Sequence, residues 1–572
     1  MIELRNQSLP IRPASEVMQL DRLGIFRQTS ISFLRTLLRQ MMREDWEIKN
    51  RIFNLDNNGY GYAVYTVHTA KDVFSFTVIS NDIPDTSRSD RVISKEWDVT
   101  FALSEGIVDE EKIESLKNEL PKQESGRADA FDIVWSRANK SNRVFSYVTD
   151  CLKKGKQPNA EIVNEVGYLL RTTAVYGNGK FGLGSYNKIR KDHPFSGPFR
   201  AQMFAVYLLR NFSFDLVEHI ATSQSDIAVQ LEPEIKRYIG TGNATGLGMA
   251  PFLISHPRLI HQWVYMREKA IARAKSINPS MEELQLAIMW IYRIANYLDE
   301  TKLIDRGLFE KDEVLADKLG MLREWINEYI EKKTMDDEDV NNIWVKVAEL
   351  TKKHISIEME ELFNTILLEI YTDHITEFEN YLNVEEDYKI NPLMTLEKLR
   401  SIIRTQYQWV FKYDFSDINE KYYFWYRSKE KEEPRLGVRG IDPGEEWGLP
   451  MNIAEQVQQL NEALQKEAPH KVVSSYILEQ PQFKGIIQRV QSLEGYEYAE
   501  IQANLLSKDL YPLHLLRCKL SFFGAERFNP KSDKWVRITL FQGAPLVEEI
   551  GKTYYDHWVF PSIPRLNEEE NK

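Results

Sequence analysis

Three glycine-rich stretches carry basic or imidazole side chains in patterns that could hold a negatively charged guest. The first, VYGNGKFGLG from Val175 to Gly184, sets Gly177, Gly179 and Gly182 around Lys180. Glycines let backbone N–H groups converge on an anion, and Lys180, Arg171 and Arg190 would add charge. The second, GTGNATGLGMAPFLISHPRLIH, contains Asn243, His256, Arg258 and His261; the third, EPRLGVRGIDPGEEWGLP, contains Arg435 and Arg439. In this reading Arg171, Arg258, Arg435 and Arg439 bind a carboxylate or phosphate, bidentately where geometry allows. Lys180, His193 or His256 would move a proton, and Asn243 would stabilise a developing oxyanion. Desolvation in a glycine-walled pocket would lower the Lys180 pKa toward a useful range.

The first loop fails the stricter nucleotide patterns. A dinucleotide fold needs the glycines between a strand and a helix, but LGSYNKIRKDHPFSGP is a poor helix start. A phosphate-binding loop needs Ser or Thr after Gly-Lys, and Phe181 follows Lys180. No kinase motifs follow it. Asn178-Gly179 also reads simply as a hairpin turn that binds nothing. No Gly-x-Ser-x-Gly elbow occurs; GLGSY comes nearest.

His354 with Glu358, and Glu369, Asp373 and Glu377, share helical faces at steps of four. Neither paired Glu-x-x-His elements nor H-E-x-x-H occur, so a solvated acidic face is expected there, with no metal and no cofactor. Cys151 and Cys518 are the only cysteines, which excludes a disulfide framework and a cysteine-based zinc site and suits a cytoplasmic setting.

The elements that must position these groups follow from periodicity. Phe33, Leu34, Leu37, Leu38 and Met41 give a helical apolar face within an expected helix over 22–43. Arg35, Arg39 and Arg43 form a cationic stripe beside it, read either as a solvated face or as a dock for an acidic partner or a membrane surface. Residues 49–80 are rich in β-branched and aromatic side chains around Asn58-Gly59, a hairpin signal. Ser280 and Glu283 form a capping box opening a helical region. LHLLRCKLSFFGAERFNPKSDKWVRITLFQG reads as two strands around Asn529-Pro530.

The expected fold is mostly α with α+β portions: an N-terminal helix plus antiparallel strands, a central helical region and a mixed C-terminal region. Its 572 residues divide by composition into units at 1–108, 109–278, 279–385 and 386–572.

A net charge of −12 argues against a protein whose main work is gripping nucleic acid. The opening MIELRNQSLPIRPASE lacks the apolar core of a signal peptide, and the uncharged run Tyr238–Pro257 is too rich in glycine to span a membrane. The function expected is a soluble enzyme acting by acid/base chemistry on a small anionic ligand, as a monomer or homo-oligomer. The alternative is a non-catalytic interaction or regulatory protein using its acidic helical surface.

Overall fold

Asp56 shows how the sheet begins. Its carboxylate accepts the N–H groups of Asn58 and Tyr60, and Gly59 adopts φ +80°, so the chain reverses between two strands. The computed structural model describes residues 10–84, 96–120, 131–172, 176–177, 192–246, 256–301, 309–334, 341–382, 389–416, 423–428, 431–438, 453–502, 512–532, 535–550 and 558–565. Lys180 and Arg439 lie outside them.

The main sheet is mixed. β1 (Glu47–Leu55), β2 (Gly61–His68), β3 (Val73–Ser80), β4 (Val99–Glu105), β5 (Asp132–Lys140) and β6 (Tyr168–Thr172) run in order and antiparallel. The short β7 (Tyr176–Gly177) pairs with β5. β8 (Gly240–Gly246) lies parallel to β6, and β9 (Tyr423–Ser428) with β10 (Lys431–Val438) forms a separate hairpin. β11 (Ala525–Ser532) and β12 (Trp535–Leu540) complete the main sheet beside β8. Strands from three of the four composition-based units thus share one sheet.

The helices that matter here are α1 (Phe33–Arg43), α2 (Glu110–Glu119), α3 (Arg200–Gln224), α4 (Pro257–Ser276), α5 (Met281–Thr301), α6 (Asp312–Thr334), α7 (Ile343–His354), α8 (Ile357–Ile370), α9 (Ile375–Tyr381), α10 (Leu396–Gln406), α11 (Ile453–Leu464) and α12 (Pro512–Phe523). The chain is mainly helical with α+β portions. α3 is apolar almost all round, as a helix enclosed by core must be, and it lies across β3 to β8. Its one buried cation, Arg210, donates to five main-chain carbonyls, from Lys236, Arg237, Ile239, Ala544 and Pro545. α2 covers the other sheet face through Leu116, against Ile79, Ala102 and Trp135. α5 to α8 build a second core around Trp290, Leu319, Trp344 and Phe363. The capping box at α5 is present: Ser280 and Glu283 exchange main-chain to side-chain hydrogen bonds of 2.6 and 3.2 Å.

Two boundaries differ from the sequence reading. The expected helix over 22–43 is broken, with one turn at Leu20–Leu23 and α1 starting only at Phe33. A Cβ on Gly24 would lie 2.3 Å from the Cβ of His514, so the chain leaves the helix there to pass against α12. LHLLRCKLSFF is helix rather than strand, burying Leu513, Leu516, Cys518 and Phe522. Pro530 lies within β11 rather than at the turn, which an edge strand tolerates because no ladder N–H is needed on its open side.

GTGNATG is β8 rather than a loop. A Cβ on Gly240 would meet the Leu540 carbonyl oxygen at 2.4 Å, and one on Gly242 would meet the Tyr168 ring at 2.6 Å. These glycines therefore serve close strand packing. Gly240→Ala is expected to lower stability by about 1–3 kcal/mol through overpacking. Gly320→Ala, in α6 where no neighbour lies within 4 Å, should raise it by up to about 1 kcal/mol. Denaturant midpoints of the two variants would check both signs.

The segment before α1, with α1 itself, is fastened to α4, α8 and α9 by ion pairs. Arg12 binds Glu268 (Nε to Oε2, 2.7 Å) and Glu361 (Nη1 to Oε1, 2.6 Å). Arg22 reaches Glu360 at 2.9 Å and Glu361 at 2.8 Å, and Arg267 bridges Glu268 and Glu361 at 2.9 and 2.8 Å. Arg27 and Arg517 both face Glu358. Arg35 holds Glu369, and Arg39 and Arg43 hold Glu379. The arginine stripe thus docks on acids of its own chain. The acidic face expected to be solvated is partly inward: Glu358 and Glu369 are buried, whereas Asp373 and Glu377 stay exposed beside Arg273 and Lys269.

Candidate functional site

Gln40 lies on the inner side of α1, where its amide donates to the Pro194 carbonyl at 3.2 Å and fixes the 192–200 segment beside the helix. Between them opens a cleft of about 540 Å³. Its walls come from α1, from the β2–β3 turn at Thr69–Asp72, from residues 192–200, and from Glu379 to Leu382 at the end of α9. That volume suits a small metabolite.

Three basic side chains from different elements line the cleft, Arg43, Lys71 and Arg200, together with four carboxylates, Glu44, Asp72, Asp192 and Glu379. Lys71 pairs with Asp192 at 3.1 Å, with both side chains more than half exposed. Arg43, 58% exposed, reaches Glu379 at 3.1 Å. A pair as exposed as Lys71–Asp192 is worth about 0–1 kcal/mol, so an entering charged group can exchange it at small cost; Glu379 is nearly buried and keeps Arg39 when Arg43 turns to a ligand.

His193 is the buried group of the site. The Phe195 N–H donates to its Nδ1 at 3.0 Å, which places the ring proton of the neutral imidazole on Nε2. Nε2 lies 3.5 Å from Glu105 Oε1. Phe74 and Phe195 hold the ring on its sides, each with its centroid 5.7 Å away. The result is an oriented imidazole with one N–H to donate in a hydrogen bond, facing a carboxylate.

The other residues singled out from sequence occupy different places. Arg171 is buried in β6, paired with Asn139 of β5 and Gly242 of β8. Asn243 is next along β8, opposite Thr172 and Ile538, so strand alternation turns its side chain away from the face of Gly242. The second glycine-rich stretch, as β8, therefore lies beside β6, which precedes the first in the chain, with Arg171 and Asn243 on opposite faces of the sheet. His256 precedes α4, where burial and then the nearby Arg489 push its pKa down to about 4; its Nδ1 has no hydrogen-bond partner among the described residues. Arg258, in the first turn of α4, lies over the Tyr496 ring at 5.1 Å. Arg435 stands in β10 opposite Tyr426, in the separate hairpin.

Sequence reasoning missed Lys71, Arg200 and Glu105 and read Arg43 only as part of a stripe. Lys71 and Asp72, charged residues in a turn between two strands, were the available signal. Among the described residues, no group of three or more His, Cys, Asp or Glu is placed to hold a metal ion, and no helix is long and apolar enough to cross a membrane. Comparison with protein-family models, with curated proteins and with solved structures finds no match.

Proposed function

We propose that the chain is an enzyme acting on a small anionic metabolite, carboxylate- or phosphate-bearing, in the cleft beside His193. One observation carries this reading: Arg43, Lys71 and Arg200 converge from separate elements on a cavity of metabolite size that also contains an oriented imidazole. The anion would exchange with Asp192 and Glu379 for Lys71 and Arg43, gaining charge-assisted hydrogen bonds. The Nε2–H of His193 would donate a hydrogen bond to the ligand oxygen on which charge develops, with Glu105 as its other partner on that side. Arg171, Asn243, Arg258 and Arg435 stand on other elements and take no part in it.

The test is thermal unfolding with a panel of metabolite carboxylates and phosphates other than nucleotides. At least one is expected to raise the melting temperature of the wild type. In Arg43→Ala/Lys71→Ala that ligand should bind about 10-fold or more weakly, from the loss of charged hydrogen bonds. No response to any anion, or an equal response in the double variant, would overturn the assignment.

A further inference from the structure

A second cavity, of about 530 Å³, lies between α10, the turn of helix at Gln408–Lys412 and α11. Arg400, Arg404, Phe411, Asn461 and Gln465 line it, with no carboxylate among them, in a chain whose net charge is −12. Arg400 is buried and fixed: its Nη2 donates to the carbonyls of Leu464 and Glu467, at the end of α11, and its Nη1 to Glu397 at 3.3 Å. Arg404 is 64% exposed and, among the described residues, has only a long pair with Glu397, at 3.5 Å. Phe411 presents 40% of its surface to solvent beside these cations. Asn461 and Gln465, one helical turn apart, have no side-chain hydrogen-bond partner among the described residues.

We infer that this cavity binds a nucleoside phosphate. An exposed aromatic ring gives a base a face to stack on. Each carboxamide offers a donor beside an acceptor, the complement of a base edge. Arg404 takes the phosphate through its guanidinium, while Arg400, held by carbonyls, keeps positive charge behind it without competing for the ligand. The charge balance separates this cavity from the cleft at His193, where carboxylates outnumber cations. The inference is independent of the function proposed for that cleft.

Calorimetric titration of the full chain tests it, with the common nucleoside monophosphates, inorganic phosphate and a short single-stranded oligonucleotide. At least one nucleoside monophosphate is expected to bind with Kd of about 1 mM or tighter, and inorganic phosphate to bind far more weakly. Phe411→Ala and Arg404→Gln should each weaken that binding about 10-fold, by loss of stacking or of the charged hydrogen bonds. Both residues are exposed, and an unchanged melting temperature would show that the fold persists; the milder Phe411→Leu and Gln465→Leu serve if it falls. An oligonucleotide that binds while the monomers do not assigns the same chemistry to a single strand. Absence of binding by monomer and oligonucleotide alike, or binding unchanged by the substitutions, would overturn the inference.

Discussion

Replacing Glu361 with leucine is expected to destabilise the protein by about 3–5 kcal/mol, the loss typical of removing one partner from a buried charge cluster. Glu361 is fully buried and accepts hydrogen bonds from Arg12, Arg22 and Arg267. Burial alone would raise its pKa, but Arg12 and Arg267 outweigh that and hold it well below the usual carboxylate range. Without it, Arg267 keeps only Glu268, which it shares with Arg12, and Arg22 falls back on Glu360 and Glu16, so the buried guanidinium groups lose the carboxylate common to all three. Glu377→Ala, which removes an exposed pair with Lys269, should cost no more than about 1 kcal/mol. Urea unfolding of both variants gives the comparison, and equal losses would contradict the role assigned to the cluster.

The second large effect is acid destabilisation. Burial pushes the pKa of His261 and of His374 down to about 4 from an ordinary 6.5. His261 Nδ1 accepts the Tyr498 N–H at 3.1 Å, and protonation would break that bond. Because these folded-state values are depressed, the unfolded chain takes up protons below pH 6.5 that the folded chain refuses. Stability is therefore full above pH 6.5 and falls as the pH drops toward 4, by roughly 2–3 kcal/mol for each histidine. Asp215, which burial raises to about 6, works in the opposite sense and offsets part of the loss. Denaturant midpoints measured from pH 7 to 4.5 should show the decline, and His261→Gln with His374→Asn should reduce it, His256, likewise depressed to about 4, keeping the remainder. A slope unchanged in that double variant would contradict the assignment to these two side chains.

What the sequence disclosed was local. The capping box at Ser280 and the hairpin at Asn58-Gly59 follow from neighbours within a few residues, and both stand where the sequence placed them; of the helix expected over 22–43, only the half from Phe33 does. The destinations of the charges were not local. Arg35 meets Glu369 and Arg22 meets Glu361 across more than three hundred residues, so composition could mark a cationic stripe and an acidic helix without joining them. The glycines of β8 misled for a related reason. Glycine allows both anion-binding loops and close strand packing, and only the positions of Leu540 and Tyr168 tell them apart at Gly240 and Gly242. His193 was visible as a histidine beside a loop; its companions Arg43, Lys71 and Arg200 come from three other stretches.

The cleft's role is tested most directly by a crystal structure of the protein with the anion that stabilises it most. The ligand is expected between α1 and the β2–β3 turn, its charged group within hydrogen-bonding reach of Arg43, Lys71 or Arg200 and its reacting centre next to His193 Nε2. A ligand bound at any other place, with Lys71 still on Asp192 and Arg43 still on Glu379, would contradict the proposal.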